Sequence, residues 1–262
     1  MRFEKWQALG NDYLIVEAPG LEPEQVRALC DRHLGVGADG VLALAPPDEP
    51  GFVARLRIFN PDGSEAELSG NGARQALLYL RAHNWTQAPT YSIQTLAGEI
   101  RATITGEHSC RTDMGRAALR FEGELEGRRY QHITIGNPQT AIRIEDRAEL
   151  EALDLAAVGP PIEHADAFPD RTNVSFWTQL APDRIRARIF ERGVGETTAS
   201  GTGACGAAIA HVLRGGDSPV TVKLDGGELE VEVGEDLHVD LTGWAVPVFG
   251  GEIDPGFGRS PA

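Results

Sequence analysis

Cysteine is scarce in this chain, long apolar runs are missing and positive charge is in the minority. The three cysteines, Cys30, Cys110 and Cys205, lie far apart. That count and spacing exclude a disulfide scaffold and a paired-cysteine zinc site, so a reducing, cytoplasmic setting without a metal is expected. The seven histidines include no H-E-x-x-H or other metal spacing. The opening stretch MRFEKWQALGNDYLIV sets charges on both sides of its few apolar residues, so neither a signal peptide nor a membrane span is expected there. Lys and Arg number 24 against 39 Asp and Glu, a formal net charge of −15. A surface of that sign repels nucleic acid and anionic membranes. G-x-x-x-x-G-K-[ST] is absent, and neither Gly70-Asn71-Gly72 nor Gly201-Thr202-Gly203 extends to G-x-G-x-x-G. A G-x-S-x-G elbow fails as well, because Glu67 and Thr198 stand two positions before the serines.

What is present is a set of short β-type runs: Tyr13–Val16, Val53–Phe59, Ser92–Leu96, Ile100–Thr105, His132–Ile135, Ile185–Phe190, Val220–Lys223, Leu229–Val233 and Leu237–Leu241. Gly, Pro or Asp borders mark them as strands. Three helices are expected, over 22–33, 73–81 and 204–213, and the last two are apolar nearly all round, as helices enclosed by protein are. A loose, acidic and Arg-rich stretch, 114–127, reads as a boundary.

One phrase occurs twice. EAELSGNGA begins at Glu65 and ETTASGTGA at Glu196, so Ser69 and Ser200 lie half a chain length apart. Glycines around a small polar residue, just before a helix, let backbone N–H groups approach a ligand closely. The helix N-terminus adds partial positive charge, which favours a carboxylate or phosphate. A single copy would read as a helix cap; two at this spacing predict a duplicated fold that gathers two helix N-termini at one cleft. Cys205 reads as a core residue, and Glu65 and Glu196 as residues that orient loop backbone.

ALGNDYLIV (8–16), DRHLGVGADG (31–40), FNPDGSEAE (59–67), SGNGAR (69–74), GNP (136–138), RTNVSF (171–176) and ERGVGET (191–197) with SGTGAC (200–205) together resemble the diaminopimelate epimerase family of cofactor-independent amino-acid racemases and epimerases. The resemblance implies an α/β fold of two pseudo-symmetric halves, each a curved, mostly antiparallel sheet wrapped around a central helix. The halves would be 1–115 with 247–262, the last strand being Val246–Phe249, and 116–246, with the active site between them. It implies interconversion of LL- and meso-diaminopimelate in lysine and peptidoglycan precursor synthesis. The substrate would be a small amino acid with an α-carboxylate, no cofactor would be needed, and a homodimer is expected. The carboxylate would rest on Gly70, Asn71, Gly201 and Thr202; Asn11, Asn60, Asn137, Asn173 and Arg192 would hold the other polar groups; Glu191 would meet the ammonium.

The family's two-base chemistry uses one thiol on each face of the α-carbon, and here those positions are Ser69 and Ser200. A serine hydroxyl is a far weaker acid than a thiol and needs a neighbouring base to abstract a proton. The GNP phrase, usually continued by His in the family, continues with Gln139, which does not change protonation near neutral pH. Gln139 and Glu191 are the positions expected to tune the reactive pair. Three readings follow: an epimerase, including one whose thiols have been replaced; a divergent isomerase or eliminase acting through Ser69 and Ser200; or an amino-acid-binding protein without turnover. Glu191 could assist a serine, or only pair with Arg192 or the substrate ammonium.

Overall fold

The computed structural model describes residues 1–254, 256 and 257. In chain order its elements are β1 (Arg2–Ala8), β2 (Asn11–Glu17), α1 (Pro23–Cys30), β3 (Val41–Ala45), β4 (Arg55–Phe59), β5 (Glu65–Ala66), α2 (Gly70–Ala82), β6 (Thr90–Thr95), β7 (Gly98–Gly106) and β8 (Ser109–Arg116). There follow β9 (Ala118–Leu125), β10 (Arg128–Ile135), β11 (Asn137–Arg143), α3 (Arg147–Ala152), α4 (Leu155–Glu163), β12 (Asn173–Ala181), β13 (Arg184–Glu191), β14 (Gly195–Thr197), α5 (Gly201–Leu213), β15 (Val220–Lys223), β16 (Glu228–Val233), β17 (His238–Trp244) and β18 (Val246–Glu252). The described residues form two compact units, one of 1–112 with 244–254, 256 and 257, and one of 113–243.

In the first unit β18 runs antiparallel to β1 and β1 to β2; β2 is parallel to β3; β3, β4 and β5 pair antiparallel in turn. After α2 the chain returns as β6, parallel to β4, and continues antiparallel through β7 into β8. The second unit repeats the pattern. β9, β10 and β11 pair antiparallel, β11 is parallel to β12, and β12, β13 and β14 are antiparallel. α5 then leads to β15, parallel to β13, with β16 and β17 antiparallel beyond it. The spacing of the repeated phrase therefore marks a full topological duplication.

Each unit is organised by its enclosed helix. Every residue of α2 from Asn71 to Leu80 is buried, and Leu77 and Leu80 are fully so, each contributing about 1.5–3 kcal/mol. The opposite face of β2 packs on α1: Leu14 and Val16 share a core with Val26, Leu29 and Cys30. Side chains alternate across a strand, so Tyr13 and Ile15 project to the α2 side. α5 is enclosed in the same way, and Cys205 lies in its fully buried face.

One expectation needs correction. The stretch 114–127 is not loose, because most of it is β-structure at the end of β8 and in β9; it follows directly on the division between the units at 112/113. Its charges lie on exposed positions of β9, while Phe121 stacks on His132 and Phe168. The unexpected β3 and β12 are continuous buried runs, VLALA and NVSFWT, whose parallel neighbours and helix-covered faces remove the alternation that reveals a strand.

Candidate active site

The two serines are helix caps. Ser69 Oγ accepts the Gly72 N–H at 3.0 Å and Ser200 Oγ the Gly203 N–H at 3.2 Å. The next N–H of each helix bonds the serine carbonyl: Ala73 to Ser69 and Ala204 to Ser200. The N–H groups of Gly70 and Asn71, and of Gly201 and Thr202, are first-turn donors that the helix cannot satisfy itself. Positive partial charge gathers at both ends. The second glycine of each phrase is required by packing. A Cβ on Gly72 would meet Leu42 Cδ2 at 3.0 Å, and one on Gly203 would meet Ile189 Cγ2 at 2.8 Å.

The glutamate of each phrase has a shared structural task. Glu65 takes Arg57 Nε and Nη2 at 2.9 and 2.8 Å, and Glu196 takes Arg188 Nη2 at 2.5 Å. They hold β5 on β4 and β14 on β13, so they anchor strands by ion pairs where loop-backbone contacts were expected. The arginine belongs to the repeat and was missed, because neither copy of the phrase contains it.

In the first unit Asn11 is fixed by charge. Its Nδ2 donates to Asp39 Oδ2 at 2.9 Å, and Gln75 Nε2 from α2 donates to its carbonyl at 3.0 Å. Arg32 bridges Asp12 and Asp39, each at 2.7 Å, and Lys5 adds a 2.7 Å contact to Asp12. Burial pushes the Asp12 carboxyl upward, but hydrogen bonds from Arg32 and Lys5 win and hold it at about 2. The phrase DRHLGVGADG thus supplies a clamp for the Asn11 turn. Gly40 leaves room for Tyr13, since a Cβ there would stand 2.4 Å from the Phe59 carbonyl oxygen and 2.6 Å from Tyr13 Cε1. The Tyr13 hydroxyl donates to Ser69 Oγ at 3.2 Å. Asn60 bonds Ser64 Oγ at 3.0 Å, and the Asn71 side chain is buried and accepts Arg74 Nη1 at 3.1 Å.

In the second unit a polar chain joins most of the expected residues. Gln139 Nε2 donates to Asn137 Oδ1 at 2.6 Å, and Asn137 Nδ2 lies 3.4 Å from Thr202 Oγ1. Asn173 Nδ2 donates to the Pro138 carbonyl at 3.0 Å, and Asn173 Oδ1 accepts the Arg192 N–H at 3.0 Å. Gln139 is fully buried, and its Oε1 has no hydrogen-bond partner among the described residues. The Arg192 guanidinium goes to the Asp170 carbonyl at 2.7 Å, so no hydrogen bond ties it to Glu191. Burial raises the Glu191 pKa above the ordinary carboxylate range, and the nearby Ser200 and Thr197 hydroxyls only partly offset the rise. Glu163, missed in the sequence, is buried, pairs with Arg171 at 2.9 Å and accepts the Gly193 N–H at 2.9 Å. It fixes the turn after Glu191.

Each helix N-terminus can hold an anion on its free N–H donors and presents a serine hydroxyl at its N-cap. The matching family model, diaminopimelate epimerase, spans residues 3–120 and 132–246. The chain belongs to the diaminopimelate epimerase family. Diaminopimelate epimerases of Synechococcus sp. and Synechococcus elongatus are each 40% identical to it; the first match covers 96% of this chain and 97% of the relative, the second 97% and 98%. The solved structure of a phenazine biosynthesis protein of the PhzF family from Bacillus anthracis covers 97% of this chain and 98% of its own, with a TM-score of 0.74 and 18% identity. That likeness shows the family's two-half fold.

Two other features lie apart from the serines. Asp113, His238 and Asp240 bring metal-type ligand atoms within 4.8 Å of one another, a grouping too dispersed in sequence to signal itself. A cavity of about 750 Å³ near the far end of α2 is lined by residues including Trp6, Arg81, His83, His108 and Phe249. No helix among the described residues is long and apolar enough to cross a membrane.

Proposed function

We propose that this protein is a cytoplasmic diaminopimelate epimerase of lysine biosynthesis that uses Ser69 and Ser200 as its acid–base pair. The observation that carries the reading is the duplicated helix N-terminus: each Ser-Gly-x-Gly cap leaves two first-turn N–H groups for a carboxylate. On this reading Gly70, Asn71, Gly201 and Thr202 hold the α-carboxylate, while Asn11, Asn60, Asn137, Asn173 and Arg192 orient the rest of the substrate. The helix ends stabilise the charge that develops on the carboxylate when the α-proton leaves. Glu191 relieves the weakness of Ser200 as a base by taking its proton, which makes its role here more than pairing with the substrate ammonium.

A homodimer belongs to the same proposal, supported by the exposed Val248 and Phe249, 54% and 48% accessible, beside the cavity at the end of α2. Sedimentation equilibrium measures the mass that decides it.

The second reading, a divergent isomerase for a substrate whose proton is already acidic, is favoured by the neutral, buried Gln139. Purified protein with LL-diaminopimelate in D2O separates the readings. Deuterium entering the α-position with formation of the meso isomer is the expected result. Saturable binding with no exchange after long incubation would refute the epimerase and leave a binding protein or another substrate.

A further inference from the structure

The duplication allows each serine's surroundings to be compared position by position. Nine residues before the serine, the first copy has Asn60 and the second has Glu191. Two residues after the Gly-Asn pair that opens β2 and β11, the first copy has Tyr13 and the second has Gln139. The two copies therefore offer an ionisable side chain from different places. In the second copy it is the Glu191 carboxylate, on the β13–β14 hairpin that leads to Ser200, with the neutral Gln139 turned to Asn137. Ser69 has the Tyr13 phenol at 3.2 Å, with the neutral Asn60 turned to Ser64.

We propose that Tyr13 is the proton relay of Ser69, so that the site is an asymmetric pair of dyads: Glu191–Ser200 takes the α-proton and Tyr13–Ser69 returns one. This rests on the epimerase reading above. For the stereoisomer whose α-proton faces Ser200, the Cα–H bond breaks as that proton passes to Ser200 Oγ and the serine's own proton passes to the Glu191 carboxylate. On the other face the Ser69 O–H bond breaks to give the new Cα–H bond, and the Tyr13 O–H proton moves to Ser69 Oγ. The step leaves a protonated Glu191 and a Tyr13 phenolate; the reverse reaction, or exchange with water, restores both. A phenol suits the task because phenols ionise at about pH 10, far more readily than an aliphatic hydroxyl. The Gly72 N–H, which also points at Ser69 Oγ at 3.0 Å, steadies charge on that oxygen during the transfer. Tyr13 is held for this role. Tyr13 is 7% exposed, and it lies against Gly40, where any side chain would displace it.

Tyr13→Phe keeps the ring and removes only the relayed proton. The test follows deuterium wash-in at the epimerised centre and inversion, starting from LL- and from meso-diaminopimelate. The variant should invert at least about ten-fold more slowly in both directions. From the isomer whose proton faces Ser200, wash-in with retained configuration should continue, because Glu191 and Ser200 still exchange with solvent. From the other isomer wash-in should fall together with inversion. In a Ser69→Cys background, where a thiol ionises without help, Tyr13→Phe should cost little more. A proportional fall of exchange and inversion from both isomers, or no fall, overturns the relay while leaving the epimerase reading in place. A native protein that neither exchanges nor inverts overturns the epimerase reading and the relay with it.

Discussion

Replacing Glu191 with Gln should separate activity from stability. The side chain keeps its shape and can still accept a hydrogen bond, but it cannot take a proton. Loss of a positioned general base costs about 10²–10⁴ in rate, which is about 3–5 kcal/mol of transition-state stabilisation. Stability should move the other way or not at all. Burial raises the Glu191 pKa, so the folded state binds this proton more tightly than the unfolded chain. Ionisation therefore costs stability as pH rises from the unfolded carboxylate pKa through the folded one, and Gln removes that cost at neutral pH. The native kcat/KM should rise with pH through the Glu191 ionisation, and the variant should lose this limb. Steady-state kinetics from pH 4 to 9 and thermal unfolding at pH 7 decide the matter. Retention of more than a tenth of the activity, survival of the acid limb, or a fall in Tm matching the lost activity would refute the assignment.

Asp12→Asn should release the Asn11 clamp. With the native carboxyl held at about 2 against an ordinary 3.8, its pairing contributes at most about 2 kcal/mol, reduced by solvent screening at the half-exposed Arg32. That contribution is complete above pH 4 and is lost as pH falls toward 2; urea unfolding from pH 7 to 2 should show this acid limb in the native protein and not in the variant. Gly203→Ala drives a methyl into Ile189 Cγ2, 2.8 Å away, and should cost about 1–3 kcal/mol. Ile189→Ala in the same chain should recover activity by giving α5 its seat back, even though the smaller side chain leaves a cavity.

The duplicated fold was legible because its repeated phrase, Ser-Gly-x-Gly before an apolar helix, is local chemistry that a short window contains. All nine expected strands fall on observed ones, since their alternation or β-branched bias reflects one wet and one packed face. β3 and β12 escaped because burial on both faces erases that alternation. α4 escaped because Pro160 and Pro161 argue against a helix, although Asp154 caps it through the Ala157 N–H. Among the candidate site residues, Ser69 and Ser200 stand out from the phrase and Glu191 from the family pattern. Tyr13 was not, because its meaning depends on a contact 56 residues away. The Arg32, Asp12 and Asp39 clamp is likewise a tertiary fact, three charges that sequence shows only as part of ordinary polar runs.

The arginine–glutamate pairs behind the two serines fix how far the serine oxygens can travel. Between Glu65 and Ser69, as between Glu196 and Ser200, only three residues intervene. One end of each tether is bound to a neighbouring strand through arginine, and the other is locked into an enclosed helix. A tether held at both ends has no slack, so the oxygen's place is dictated by the scaffold and not by the ligand. A carbon–oxygen bond is shorter than a carbon–sulfur bond, and each serine therefore stops short of where a thiol on the same tether would end.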